Sequence, residues 1–342
     1  MRQSPALLAF LTAWLAMTAA AQAANGDILA GVRSRGYVTC GFRPAPGFAY
    51  SDNTGRLTGF MVDFCHGLAA AVLGDAKAIR TERLPEKPNE FAAVENHEVD
   101  VAFQTTSWTF SREISHNIQF TVPVFYDGQA FAVSSDQPPG PLNELKDATV
   151  CVKSATTTQR NLEDFILQNQ RHWTVRLFKS YDETLQAFIG AECNMMTTDS
   201  SALVTSLAKY RRPGDNIYID PKLISHEPLT PYVPEDDDNW ADIVRSLIYA
   251  TFLAEENDIT ASNVAAVRDN GSDEMRHMLG KTPGLGSRLG VRDDWAFQVI
   301  SQVGNYGEIF ERNLGSSSPF HMERGANRPW NHNGLLYAPQ FQ

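Results

Sequence analysis

Hydrophobic and polar positions alternate between two periods along the chain, and the alternation outlines a fold. Residues 37–40 form a short run with strand character, and Phe60, Phe64, Leu68 and Val72 then recur every fourth position, as one face of a helix does. The unit is a strand followed by a helix. Residues 99–103 and 130–133 read as further strands, the second bounded by Asp127-Gly128 and by a breaker-rich run over 134–141. The pattern then restarts as strand 149–152, helix 157–168, strand 174–178, helix 182–189, strand 195–197 and a helix over 200–207. A second breaker cluster, Glu227-Pro228-Leu229-Thr230-Pro231, marks a return, and the remainder is mostly helical, with 240–255 the longest periodic stretch. No short-period repeat is visible.

The first 23 residues stand outside this pattern. Arg2 supplies a short positive start, residues 6–20 are an apolar run rich in Leu and Ala, and Ala21-Gln22-Ala23 is a small-residue cleavage site. Together they predict a cleaved signal peptide over 1–23 and a soluble, periplasmic mature chain. Residues 24–134 and 232–342 are expected to form one α/β lobe with a C-terminal helical extension. Residues 135–231 form the second lobe, with crossings near 134–141 and 226–232. Two α/β halves joined by two such segments predict lobes that face each other across a cleft and close on a ligand by hinge rotation.

Composition removes several alternatives. With 29 Lys+Arg against 40 Asp+Glu the formal net charge is −11, which argues against nucleic acid or an anionic membrane as the main partner. The four cysteines, Cys40, Cys65, Cys151 and Cys193, would lie in an oxidising compartment; their number allows three connectivities, and their two local groupings suggest one bridge in each half. No CxxC or HxxxH spacing occurs, so neither a metal nor another cofactor is expected.

The candidate chemistry sits where strands end. Gln104-Thr105-Thr106-Ser107-Trp108-Thr109-Phe110-Ser111-Arg112 follows the strand at 99–103, at the carboxyl edge where open α/β sheets bind ligands. Arg112 can grip a carboxylate with two parallel N–H bonds, and Ser107 and backbone amides can complete the shell. In the second half, Ser154-Ala155-Thr156-Thr157-Thr158 opens a helix and offers its amides to an anion, although an ordinary Thr N-cap explains the same residues. Asp199 can take a ligand ammonium or simply cap the next helix. The acidic run 235–238 and the basic patch Lys209, Arg211 and Arg212 read as solvated surface.

These residues resemble the periplasmic solute-binding proteins of polar amino-acid ABC transporters, nearest to the general L-amino-acid branch. The pieces that carry the likeness are Gly59-Phe60-Met61-Val62-Asp63-Phe64-Cys65, residues 105–112, Tyr126-Asp127-Gly128-Gln129, Cys151-Val152 with the Thr run after it, Thr197-Thr198-Asp199, and above all the C-terminal block at 302–315. The resemblance implies a type II, two-lobed fold. It implies that Arg112 holds the ligand α-carboxylate with Ser107, Thr105, Thr157 and Thr156 assisting, that Asp199 pairs with the α-ammonium, and that Phe48 lies over the ligand side chain. Arg43, Tyr126 and Gln104 become candidates for the side-chain pocket. It further implies the pairs Cys40–Cys65 and Cys151–Cys193, a membrane permease with its ATPase as partner, a monomer, and no catalysis. Met61, Ala155 and Asn194 depart from the family's usual residues, the last two expected near the pocket; Ala155 stands where a glycine is usual, and its Cβ disfavours positive φ. A ligand-binding sensor and a cyclohexadienyl-dehydratase-like enzyme remain the competing functions.

Overall fold

The computed structural model describes residues 27–341 except 86–88, 135–141, 143–144 and 146; the predicted signal peptide lies outside the described residues. Fourteen strands run along the described chain: β1 (Val38–Phe42), β2 (Tyr50–Ser51), β3 (Leu57–Thr58), β4 (Ile79–Arg83), β5 (Val101–Ala102), β6 (Ile118–Phe120), β7 (Phe125–Asp127), β8 (Gln129–Ser134), β9 (Thr149–Lys153), β10 (Thr174–Phe178), β11 (Met195–Asp199), β12 (Ile217–Ile219), β13 (Glu227–Leu229) and β14 (Tyr232–Pro234). The helices of the two lobes are α1 (Ile28–Arg35), α2 (Phe60–Leu73), α3 (Ala92–Glu95), α4 (Phe110–Ser115), α5 (Thr157–Gln168), α6 (Tyr181–Ile189), α7 (Ser200–Tyr210) and α8 (Asp238–Glu256). After them come α9 (Val264–Asn270), α10 (Asp273–Met278), α11 (Leu285–Arg288), α12 (Trp295–Val303) and α13 (Tyr306–Asn313).

Two five-stranded sheets result, in the orders β4-β1-β5-β14-β6 and β10-β9-β11-β8-β12. In each, three neighbouring strands are parallel and two are antiparallel additions. Between the sheets β7 and β13 form a separate antiparallel pair, with Asp127 opposite Glu227. This pair is the double connection between the lobes.

The first crossing therefore differs from the expected one. Residues 130–133, read as the end of the first lobe, belong to β8, which pairs with β11 and β12 inside the second sheet. The chain crosses at 125–129 rather than at 134–141. The cause is that β8 is covered on both faces: Ala130 and Ala132 pack with Leu185, Phe188 and Leu203, while Phe131 and Val133 pack with Leu162 and Trp173 on the other side. A strand buried on both faces is a continuous apolar run, which does not disclose the sheet it joins.

The core of the first lobe explains the C-terminal helices. Helix α2, apolar on nearly every face, packs against α8, α12 and α13. It starts at Gly59, whose φ of +135° and close approach to the Phe48 carbonyl, 2.3 Å from where a Cβ would stand, suit glycine alone. Asn305 and Glu308 close a capping box on α13, and the Tyr306 hydroxyl donates to the Val124 carbonyl at 2.9 Å, just ahead of β7. Arg312 and Asn313 both bond Asp63 on α2. The block at 302–315 is thus a packing module of the first lobe. Disulfides Cys40–Cys65 and Cys151–Cys193 tie β1 to α2 and β9 to the segment entering β11.

Candidate functional site

In the first lobe the segment that follows β5 is laced to the hinge before it reaches its arginine. Ser107 bridges to Leu229, the Trp108 amide donates to the Pro228 carbonyl at 2.9 Å, and the Thr230 amide donates to the Thr106 carbonyl at 3.0 Å. Thr109 caps α4, its hydroxyl accepting from the Arg112 amide at 3.3 Å. The Arg112 side chain then folds back, Nη1 donating to the Ser107 carbonyl at 2.5 Å, and keeps 11% of its surface exposed. Its guanidinium lies 3.9 Å from a Glu90 oxygen and 6.0 Å from the centre of the Phe91 ring. Burial pulls the Arg112 pKa down, and the Glu90 charge opposes that pull. The charges of Arg160, in the first turn of α5, and of Glu227 on β13 also act on it.

Glu90 belongs to the Arg112 cluster, and the sequence did not disclose it. It is 2% exposed and sits between two guanidiniums, with Arg43 at 3.0 Å on its other oxygen. Arg43 Nε donates to Gln104 Oε1 at 2.8 Å, Gln104 Nε2 donates to the Tyr232 hydroxyl, and that hydroxyl donates to the Glu90 carbonyl at 3.1 Å. Arg43 and Gln104, read as pocket candidates, are therefore joined to Arg112 through one buried network. Glu90 lies in a short 3-10 turn, Asn89–Phe91, with no periodic pattern, so no sequence signal pointed to it.

The second lobe brings its residues to the carboxyl ends of β9 and β11. Thr156 is the N-cap of α5: its hydroxyl accepts from the Gln159 amide at 3.1 Å and donates to the Lys153 carbonyl at 2.8 Å. The ordinary capping role thus holds for Thr156, and Thr157 begins the helix beside it, 9% exposed. Gln129, fully buried, donates to the Thr158 carbonyl at 3.1 Å and to the Thr197 hydroxyl at 2.9 Å, which fastens the start of α5 to the sheet. Asp199 ends β11 at the N-cap position of α7, yet its side chain makes no capping bond. Asp127 of the hinge supplies that cap instead, accepting from the Ser201 amide at 3.3 Å and from the Ser201 hydroxyl.

Not every expected residue joins this constellation. Phe48 is 2% exposed and packs edge-on against Phe60 and Phe125 at 5.9 and 5.2 Å, inside the first-lobe core rather than over a ligand. The loop carries it inward because the Phe60 and Met61 amides bond the Gly47 and Phe48 carbonyls. Asn194 stands at the opposite end of β11 from Asp199, where its side chain accepts from the Thr149 amide at 2.7 Å; it is not near the pocket. Met61 is fully buried in α2. Ala155 does adopt the feared geometry, with φ +59° immediately before the α5 cap. Thr105 is half-buried beside Ser107.

The hinge carries its own chemistry. Glu227 accepts from Asn161 on α5 at 2.8 Å and from the Ser225 hydroxyl at 2.9 Å. Asp127, its cross-strand neighbour, has its pKa pushed up to about 6, first by burial and then by the Glu227 charge, against the hydrogen bonds from Ser201 and Gly128. Tyr126 points elsewhere than the Arg112 cluster: it lines a cavity of about 510 Å³ with Leu223, Pro228, Ala326 and Leu335. Asn327 of the C-terminal extension clamps this strand, accepting from the Tyr126 amide at 2.6 Å and donating to its carbonyl at 3.1 Å.

Comparison with known proteins agrees with this architecture. Residues 38–258 match the bacterial extracellular solute-binding proteins, family 3. The chain is 38% identical to the general L-amino acid-binding periplasmic protein AapJ of Rhizobium johnstonii over 322 residues, 93% of this chain and 94% of that protein. It is 39% identical to the glutamate/glutamine/aspartate/asparagine-binding protein BztA of Rhodobacter capsulatus over 324 residues, 94% of this chain and 95% of that one. Among solved structures, an ABC transporter periplasmic binding protein from Brucella ovis with glutathione bound superposes with a TM-score of 0.88 at 35% identity, covering 93% of this chain and 100% of its own.

Proposed function

The chain belongs to the bacterial extracellular solute-binding proteins, family 3, and from that premise we propose that it captures L-amino acids between its lobes and hands them to a membrane permease. The observation that carries the reading is Arg112, a nearly buried guanidinium fixed by the Ser107 carbonyl beside the Glu90–Arg43 pair. It takes the ligand α-carboxylate, with Ser107, Thr105 and the Thr156–Thr157 amides around it, while Asp199 takes the α-ammonium. Burying a zwitterion is tolerable only where both charges find partners, and the two lobes offer one each. Binding is followed by hinge closure and no covalent chemistry; the protein acts as an exported monomer after removal of residues 1–23. AapJ and BztA, named for binding amino acids, support the ligand class.

A thermal-shift panel of refolded protein with the twenty L-amino acids, several dicarboxylates and reduced glutathione tests this. A ligand at 100 times its dissociation constant adds about 2.7 kcal/mol to stability. The expected result is stabilisation by amino acids that is lost in Arg112→Ala and in Asp199→Ala. A flat response to every amino acid in well-folded protein overturns the reading.

A further inference from the structure

The first lobe holds an unusual charge arrangement around Arg112, which the proposed function makes the floor of its cleft. One nearly inaccessible carboxylate, Glu90, lies between two guanidiniums, 3.0 Å from Arg43 and 3.9 Å from Arg112. Each guanidinium has a second anchor, Gln104 for Arg43 and the Ser107 carbonyl for Arg112, so neither can swing away. The Tyr232 hydroxyl holds the Glu90 backbone, and Gln104 holds Tyr232, which fixes the carboxylate as well. The three charged groups together leave one positive charge in excess. We propose that Glu90 is a specificity-determining residue that balances this floor for a ligand carrying a single carboxylate there.

The argument rests on the amino-acid reading of Arg112. One α-carboxylate on Arg112 brings the floor to neutrality. A second carboxylate, from the side chain of a dicarboxylic ligand, meets an Arg43 whose charge Glu90 already matches, and it also meets the repulsion of Glu90 itself. In a site shielded from water such unpaired like charges discriminate strongly between ligands. Replacing Glu90 by Gln keeps the size and a carbonyl oxygen for Arg43 but leaves two positive charges, which suits a dicarboxylic ligand. Replacing Arg43 by Gln moves the balance the other way.

Glutamine and glutamate differ by this one charge and little else, so their affinities measured by calorimetry on wild type, Glu90→Gln and Arg43→Gln form the test. From wild type to E90Q the glutamate-to-glutamine affinity ratio is expected to rise tenfold or more, equivalent to about 1.4 kcal/mol. In R43Q the ratio is expected to fall. A merely structural Glu90 lowers both affinities by the same factor and leaves the ratio unmoved, and that result in both variants refutes the assignment. If one variant does not fold, the ratio in the other decides. Should the wild type bind no amino acid at all, the functional reading falls and the Glu90 assignment with it; binding with an unmoved ratio removes only the latter.

Discussion

The hinge pair gives a prediction whose sign and size follow from the structure. Asp127 and Glu227 face each other across the β7–β13 ladder, and burial lifts the Asp127 pKa from 3.8 to about 6. The Asp127 carboxylate accepts from the Gly128 and Ser201 amides and the Ser201 hydroxyl, and the Glu227 carboxylate acts on it; His226 lines the same cavity as Asp127. An acid whose pKa is raised on folding binds more protons folded than unfolded. Its contribution to stability is therefore most favourable below pH 3.8 and is lost as pH rises through about 6. A shift of roughly 2 units at ~1.4 kcal/mol per unit makes this loss about 3 kcal/mol. Asp127→Asn removes the charge and keeps the shape: its amide oxygen can still accept from Gly128, and the Ser201 hydroxyl can turn to accept from the new NH2. Urea unfolding of both proteins from pH 4 to 7.5 should show the variant gaining on the wild type as pH rises, with a difference that flattens above the upper pKa. Asp52, Asp215 and Asp293, whose pKa values hydrogen bonds hold below the usual carboxylate range, act at lower pH and are common to both proteins. Parallel stability curves across the whole range would refute a raised Asp127 pKa.

Two further outcomes follow from local geometry. Ala155→Gly should raise stability by about 0.5–1 kcal/mol, because an alanine held at φ +59° gives up strain of ~1–2 kcal/mol that the added chain entropy of glycine only partly offsets; an unchanged or lower urea midpoint contradicts this. Asn327→Ala should free both backbone groups of Tyr126 and speed exchange of that amide by at least tenfold, or ~1.4 kcal/mol of local opening, while amides deep in β9 keep their protection; equal exchange in the two proteins would show that the extension does not hold the hinge strand.

How far the sequence could be read depended on whether an interaction is local. Arg112 and Asp199 could be singled out as candidates because one lies in the segment that follows β5 and the other ends β11, and strand ends are where α/β sheets meet ligands. The cysteines fell into two local groups, and each group closes on itself. By contrast, β8 was placed in the wrong lobe, since an apolar run covered on both faces carries no mark of its partner strands. Phe48 was misread for a related reason. An aromatic in a turn looks the same in sequence whether the turn folds it into the core or out over a cleft, and here two backbone bonds to α2 decide. Glu90 was invisible because its partners, Arg43, Gln104, Arg112 and Tyr232, are spread along the chain and meet only in the folded lobe.

On the proposed function, the hinge couples capture of the ligand to closure of the lobes. Strand β13 bonds the Ser107–Trp108 segment of the first lobe through Leu229 and Pro228, and through Glu227 it bonds Asn161 of α5 in the second. Strand β7 reaches the second lobe through Asp127, which caps α7 next to Asp199, and is itself held from the first lobe by Asn327. Each hinge strand thus grips one helix of the second lobe and one element of the first. If the lobes close as proposed, rotation about this pair carries the starts of α5 and α7 together, so that the amides and the Asp199 carboxylate proposed for the ligand arrive as a unit. A ligand that satisfies both charges favours the closed arrangement by its full difference in affinity between open and closed forms, and a solute that lacks either charge gives up part of that difference. Selectivity for amino acids and closure of the cleft are then two readings of one free energy, set by how Asp127 and Glu227 join the lobes.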